Sequence, residues 1–256
     1  MKILILVNTL TSVNQWVYFN HIRFIANSIK WLAKRRIDAF NNQIGQWSQN
    51  DLDNIFEDQI FWYTTPRSSI DNARNSAAQQ AMNLQCDYLM FIDDDVLVPP
   101  DTLEKLLFVD KDIVAGHVVI RGNPFNNMFF KFREGEQSHL DYYNDYPKDV
   151  DFFPVDAVGF SCTLIKVSLF KKLYPPFFVT GRLNTEDIYF CMKAKDTFPE
   201  TSIYVHSKVE CSHMLNPIFV DATNKSKLQE FYKEDLSDIS RGVAYITKHK
   251  AILGIL

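Results

Sequence analysis

Three consecutive carboxylates, Asp93-Asp94-Asp95, stand directly after the apolar run Tyr88-Leu89-Met90-Phe91-Ile92. Adjacent carboxylates repel one another, and a cation or a proton relieves the repulsion. A hard divalent cation takes oxygen ligands of this kind and completes its shell with water and substrate phosphates. The residue types therefore suit a metal-diphosphate site. The plainer alternative is a solvated acidic turn, or a helix start in which Asp101 caps residues 102–108. Three other places carry candidate chemistry. Arg74 and Asn75 open one predicted helix, Glu186 and Asp187 follow Thr185 in the first turn of another, and His213 follows a predicted strand. Each has an ordinary explanation as well: a surface arginine, first-turn acids favoured by the helix dipole, and a structural histidine.

The elements that position these groups are read from periodicity. Residues 2–7 form a continuous apolar run, as in a strand buried on both faces, and end at the polar tip Asn8-Thr9. Phe24, Ile25, Ile29 and Leu32 predict a helix over 16–32, closed by Lys34-Arg35-Arg36, where cations suit the dipole. Residues 37–40 read as a second strand, 51–56 as a second helix and 60–63 as a third strand. Ser68 or Ser69 caps a helix running to about Leu84, with Ile70, Ala73, Ala77, Ala81 and Leu84 on its inward face. Residues 87–92 deliver the aspartates, and Leu103, Leu106, Leu107 and Phe108 give the next helix its buried face. A strand over 112–119 completes a β-α alternation, which implies a parallel sheet with right-handed crossovers.

After Arg121 the pattern changes. Residues 123–154, rich in Asn, Asp and aromatics, read as irregular strands and a long loop of lid-like length. Their rings suit the C–H face of a sugar or packing on the protein's own body. Residues 155–165 read as a strand with Gly159 at a point of close approach. A short helix over 167–173, strands over 203–205 and 208–211, and charged helices over 223–236 and 238–250 follow.

The totals narrow the class. A chain of 256 residues can bury a real core, and 46% apolar content argues against disorder. Only 8 glycines are present and no G-x-G-x-x-G or G-x-x-x-x-G-K occurs, which counts against a glycine-rich phosphate loop. A formal net charge of -4 does not favour nucleic acid as a partner. Cys86, Cys162, Cys191 and Cys211 lack C-x-x-C spacing and read as reduced thiols of a cytoplasmic protein. No apolar run reaches transmembrane length. The apolar residues 251–256 suit docking on the body, on a partner or on a membrane surface.

Taken together, the residues resemble a family. Arg74-Asn75 opens a helix, a strand ends Phe91-Ile92-Asp93-Asp94-Asp95-Val96, and Pro100-Asp101-Thr102-Leu103 follows. Then come Val158-Gly159-Phe160-Ser161-Cys162, Glu186-Asp187 on a helix and a late His213. This order resembles the family 2 glycosyltransferases with the GT-A fold, over about residues 1–213. The resemblance implies an α/β, Rossmann-like domain over 1–215 with a mixed, mainly parallel sheet flanked by helices. A C-terminal helical extension over 216–256 would pack on it. It implies metal-dependent transfer of a sugar from a nucleotide-diphosphate-sugar to a glycan or other hydroxyl acceptor. Asp93 to Asp95 would be the D-x-D motif that holds Mn²⁺ or Mg²⁺ on the diphosphate, with Asp95 as ligand beside Asp93. Asp93 or Asp94 would face the ribose, Arg74 and Asn8 would contact the nucleotide, and His213 would be the late metal ligand. Asp187, with Glu186 as rival, would be the base of an inverting reaction; a retaining course needs none. The donor implied is a UDP-sugar, with a GDP-sugar as the alternative. The front of the chain departs from the family pattern. Val7-Asn8-Thr9-Leu10 replaces a proline-containing signature, and the family's usual aspartate after the second strand has no clear counterpart near Asn41-Asn42.

Expelling a nucleoside diphosphate builds negative charge on the leaving oxygens, which a divalent ion stabilises. The acceptor hydroxyl must lose a proton, which a positioned carboxylate can take. Three competing readings share parts of this pattern. Asp93-Asp94-Asp95-Val96 approximates the nucleophile loop of a haloacid dehalogenase-like phosphatase, although that loop normally follows the first strand. A nucleotidyltransferase is another, and a non-catalytic nucleotide-sugar or glycan-binding module would keep Asp95 and Arg74 without needing Asp187.

Overall fold

The computed structural model describes residues 1–9, 15–42, 58–66, 68–181, 184–215 and 218–234. In chain order the strands are β1 (Lys2–Thr9), β2 (Gln59–Pro66), β3 (Tyr88–Asp93), β4 (Val96–Leu97) and β5 (Ile113–His117). They continue as β6 (Phe129–Arg133), β7 (Glu136–Tyr142), β8 (Phe152–Pro154), β9 (Ala157–Val158) and β10 (Cys162–Lys166). The last are β11 (Ile203–Glu210), β12 (Ser212–Leu215) and β13 (Ile218–Val220). Six helices lie among the described residues: α1 (Gln15–Asn42), α2 (Ile70–Asn83), α3 (Thr102–Val109), α4 (Val167–Lys172), α5 (Glu186–Thr197) and α6 (Lys225–Glu234).

The central sheet has the order β2-β1-β3-β10-β5-β11-β8. Strands β2, β1, β3, β5 and β11 run one way, and β10 and β8 run against them. This is the expected mixed, mainly parallel sheet flanked by helices. Ile3 through Val7 are all buried. Ile3, Ile5 and Val7 pack with Phe24 of α1 and Leu103 and Leu106 of α3. Leu4 and Leu6 pack on the other face with Ala77 and Ala81 of α2. A strand with apolar partners on both faces needs an unbroken apolar run. The small Ala73, Ala77, Ala78 and Ala81 are buried, so α2 can lie close to the sheet. Two small antiparallel sheets, β13-β12-β4 and β7-β6-β9, complete the strands.

Several expectations are corrected. Residues 37–40 are helical, because α1 runs through Lys34-Arg35-Arg36 to Asn42. No proline or glycine lies between 34 and 42, and extending an existing helix costs far less than starting one. The expected helix over 51–56 lies outside the described residues, as does 238–250. The span 155–165 is two strands, β9 and β10, broken at Gly159–Ser161 where the chain turns past α5. Residues 203–210 form one strand rather than parts of two. Phe108 is 77% exposed and does not belong to the buried face of α3. The stretch 123–154 contains β6, β7 and β8, and Phe125, Phe129 and Phe153 are core residues. Among the described residues two strands precede the one carrying the aspartates, unlike the first strand that bears a dehalogenase-type nucleophile.

Candidate active site

The parallel strands β1, β3 and β5 end on one edge of the sheet, the place where open α/β sheets receive ligands. Asn8 of β1 lies in register with Asp93 of β3 on one side and Thr65 of β2 on the other. The N-termini of α2 and α5 meet at the same edge, since Arg74 in the first turns of α2 reaches Glu186 in the first turn of α5. Two helix N-termini there favour anionic groups.

Two clusters form around the aspartate run. The first is centred on Arg74, whose side chain is 3% exposed. Its guanidinium pairs with the Glu186 carboxylate and lies 3.4 Å from Asp93 Oδ1. The rings of Phe91 and Phe160, stacked with centroids 5.7 Å apart, lie together beside it, each 5.5 Å from Cζ. Arg74 is therefore not the surface residue that helix propensity alone permits. Ser161 Oγ donates to Asp93 Oδ2 at 2.5 Å, and the Asp93 amide donates to the Ser161 carbonyl at 3.1 Å. Burial pushes the Glu186 carboxyl up, Arg74 opposes that, and the neighbouring charge of Asp187 adds to it; the net direction is upward.

The second cluster is centred on Asp95. Strand β12 pairs with β4 in the register His213↔Val96, which brings the histidine beside the end of the aspartate run. His213 Nδ1 lies 2.9 Å from the Val119 carbonyl oxygen, an atom that only accepts. Nδ1 therefore carries a hydrogen, and in the neutral ring Nε2 presents its lone pair. Nε2 faces Asp95 Oδ1 at 3.4 Å. Two acceptors facing each other at that distance are reconciled by a proton or by a cation. On the other carboxylate oxygen, Arg121 Nη1 donates to Asp95 Oδ2 at 2.5 Å. Burial pushes the Asp95 carboxyl up, but His213 and Arg121 outweigh it and hold the carboxyl below the ordinary carboxylate range. Asp94 is half-buried in the turn between the two clusters.

Asp187 adjoins the first cluster, next to Glu186 and beside Phe160. Its carboxylate accepts from the Ile188 amide at 2.8 Å, from Thr185 Oγ1 and, more weakly, from the Phe160 amide at 3.4 Å. Gly159 makes room for Met128: a Cβ there would stand 2.6 Å from Met128 Cε and 3.2 Å from Met128 Cβ, but in ordinary contact, 3.5 Å, with Asp187 Oδ2. Beside this helix start lies a cleft of about 540 Å³ between the β6–β7 hairpin and α5. Phe130, His139, Tyr142, Asn184, Thr185 and Ile188 are among its lining residues. Among the described residues, no group of three or more His, Cys, Asp and Glu side chains converges as a complete cation cage. Asp95 and His213 supply a carboxylate and an imidazole nitrogen, a donor set that suits a divalent ion taking its other ligands from phosphates and water.

Sequence reading did not single out Ser161 or Arg121 for a role at these carboxylates. A cation just past the end of β5 was the available signal for Arg121. Ser161, in the turn before β10, carried none that set it apart from other turn serines.

The strand-edge site and its surrounding layers define an α/β protein with a mixed, mainly parallel sheet. The model of the family described as glycosyl transferase family 2 matches residues 45–174, about half of the chain, and the chain belongs to that family. The match takes in Arg74, the aspartates and Ser161 and ends before Glu186, Asp187 and His213. No curated protein matches the chain. Among solved structures, A197 from STIV is 18% identical, with a TM-score of 0.52 over 86% of this chain and 94% of that one. That likeness shows a shared fold. GalNAc-T7, solved with UDP, GalNAc and Mn2+, is 14% identical with a TM-score of 0.48, over 83% of this chain and 43% of that one. UTP-bound UGPase from Acinetobacter baumannii is 9% identical with a TM-score of 0.44, over 96% and 98%. No helix among the described residues is long and apolar enough to cross a membrane.

Proposed function

We propose that the chain transfers a sugar from a nucleoside-diphosphate sugar, a UDP-sugar before a GDP-sugar, to a hydroxyl of a glycan or similar acceptor. Residues 1–215 are the catalytic unit and 216–256 its extension. The observation that carries the reading is the opposed pair Asp95 Oδ1 and His213 Nε2, with the histidine's other nitrogen tied to a carbonyl. Asp95 and His213 would hold Mn²⁺ or Mg²⁺, with Asp93 nearby. When bound, the cation supplies Lewis-acid neutralisation of the departing diphosphate.

The chain's own residues do the rest. Arg74 fixes Asp93 and Glu186 in place by its two ion pairs, and Asn8, Asp93 and Asp94 lie where the nucleoside would enter. The acceptor occupies the cleft beside α5, and Asp187 takes the proton of the attacking hydroxyl. The Ile188 amide and the Thr185 hydroxyl both donate to Asp187 Oδ1 and fix the orientation of its carboxylate. Glu186, already paired with Arg74, acts as a positioning residue.

The test is release of nucleoside diphosphate from a panel of UDP- and GDP-sugars, with Mn²⁺ and with EDTA. Asp187→Asn is expected to lower turnover by on the order of 10²–10⁴-fold with nucleotide affinity kept. Glu186→Gln is expected to lower affinity and turnover together. Near-normal transfer by Asp187→Asn with loss in Glu186→Gln would exchange the two roles. Binding of nucleotide-sugar with no transfer to any acceptor would favour a binding module instead.

A further inference from the structure

Helix α1 carries an apolar stripe on the face that points away from the sheet. Its buried side is Val17, His21, Phe24, Ser28 and Leu32, spaced three to four residues apart along one line. At 100° per residue, the opposite line runs through Phe19, Ile22, Ile29 and Ile37. These four are 54%, 44%, 54% and 58% exposed. Ala26 and Ala33 fill the intervening positions and are exposed too. Scattered single apolar residues on a surface need no explanation, but a continuous stripe along a 28-residue helix does.

The charge around the stripe selects its occupant. Arg23, Lys30 and Lys34 are exposed along one rim. The whole helix holds five basic residues against one acidic residue, Asp38, whereas the chain as a whole is at -4. A second copy of this helix would set the same basic rim against itself, and like charges across such a seam oppose pairing. An anionic bilayer surface is complementary to both features. An interfacial helix buries an apolar face at the headgroup boundary while its Lys and Arg stems reach the anionic heads. Trp16, 73% exposed at the helix start, has the amphipathic ring that favours that boundary.

We propose that the outer face of α1 docks this protein on an anionic lipid surface, lying in the interface rather than spanning it. The helix is tied to the site. His21 Nε2 is 2.8 Å from the Val96 carbonyl oxygen, and Asn20 bonds both the amide and the carbonyl of Val98. Docking through α1 therefore holds the aspartate turn at a set distance from the lipid. The proposal does not depend on the reaction assigned to that site.

The experiment is co-sedimentation of the full chain with vesicles of phosphatidylcholine alone or mixed with phosphatidylserine, at low and high salt. Binding is expected only to the mixed vesicles and is expected to fall with salt. Arg23→Gln/Lys30→Gln/Lys34→Gln should weaken it by about fivefold per cation removed, on the order of 100-fold together. Ile22→Glu/Ile29→Glu should abolish it. The stripe is exposed in the folded protein, so unchanged circular dichroism and urea midpoint are expected for both variants. Equal binding to neutral and anionic vesicles, or no binding by the unaltered chain, would overturn the proposal. A lipid-free dimer that Ile22→Glu/Ile29→Glu dissociates would overturn it as well and assign the face to a second copy.

Discussion

Replacing Arg74 by methionine removes a buried cation and leaves Glu186, 5% exposed, beside it without a counterion. Two routes are open to the folded variant. Keeping Glu186 charged costs about 3–5 kcal/mol, the range for breaking one side of a buried pair. Taking up a proton costs about 1.36 kcal/mol for each pH unit above the ordinary glutamate value of 4.5, which is roughly 3.4 kcal/mol at pH 7 and 0.7 kcal/mol at pH 5. The cheaper route sets the loss. Loss of the two ring contacts adds roughly 1–2 kcal/mol at either pH. Arg74→Met is thus expected to lose about 4–5 kcal/mol at pH 7 and about 2–3 kcal/mol at pH 5. The sign follows from linkage. The folded variant holds a proton that the unfolded chain releases, so its stability falls as pH rises above the unfolded value. Urea unfolding of variant and unaltered chain at both pH values gives the difference directly, and the titration of other groups cancels. Arg74→Met/Glu186→Gln should remove the pH dependence. A loss below about 1 kcal/mol, or an equal loss at both pH values, would refute the assignment of Glu186 as a carboxylate held by Arg74.

Other outcomes can be measured alongside. Asp95→Ala should abolish any Mn²⁺-dependent gain in nucleotide affinity by calorimetry and lower turnover by on the order of 10³-fold; full activity in EDTA would contradict it. His213→Ala should weaken metal binding while the urea midpoint shows the fold intact. Gly159→Ala forces a Cβ to within 2.6 Å of Met128 Cε and 3.2 Å of Met128 Cβ, so a loss of about 1–3 kcal/mol is expected, with partial recovery in Gly159→Ala/Met128→Ala. Burial holds the His117 imidazole down at about 4, so the folded state resists the proton that the unfolded chain binds below 6.5. The stability it contributes is complete above 6.5 and is lost as pH falls toward 4, by about 2 kcal/mol between pH 7.5 and 5. A His117→Gln variant should show a correspondingly flatter urea midpoint over that interval.

Local pattern alone determined a good deal here. The unbroken apolar runs at 3–7 and 89–92 announce strands covered on both faces, and the aspartates must then fall at a strand tip, because carboxylates cannot continue into such a core. The helix starts at Ser69 and Thr185 were legible because the residues that precede first turns differ in kind from those inside. The course of α1 was not legible: Ile37 and Phe40 suit a strand as well as a helix, and an exposed apolar face looks in sequence like a buried one. What no local pattern holds is the meeting of distant residues. Arg74 and Glu186 are 112 positions apart, and Asp95 reaches His213 only because β12 runs back along β4. Their types were visible as candidates, but their partners were set by register and by the turn at Gly159. Burial then turned two ordinary helix-start residues into a charged pair whose arginine packs against two stacked phenylalanine rings.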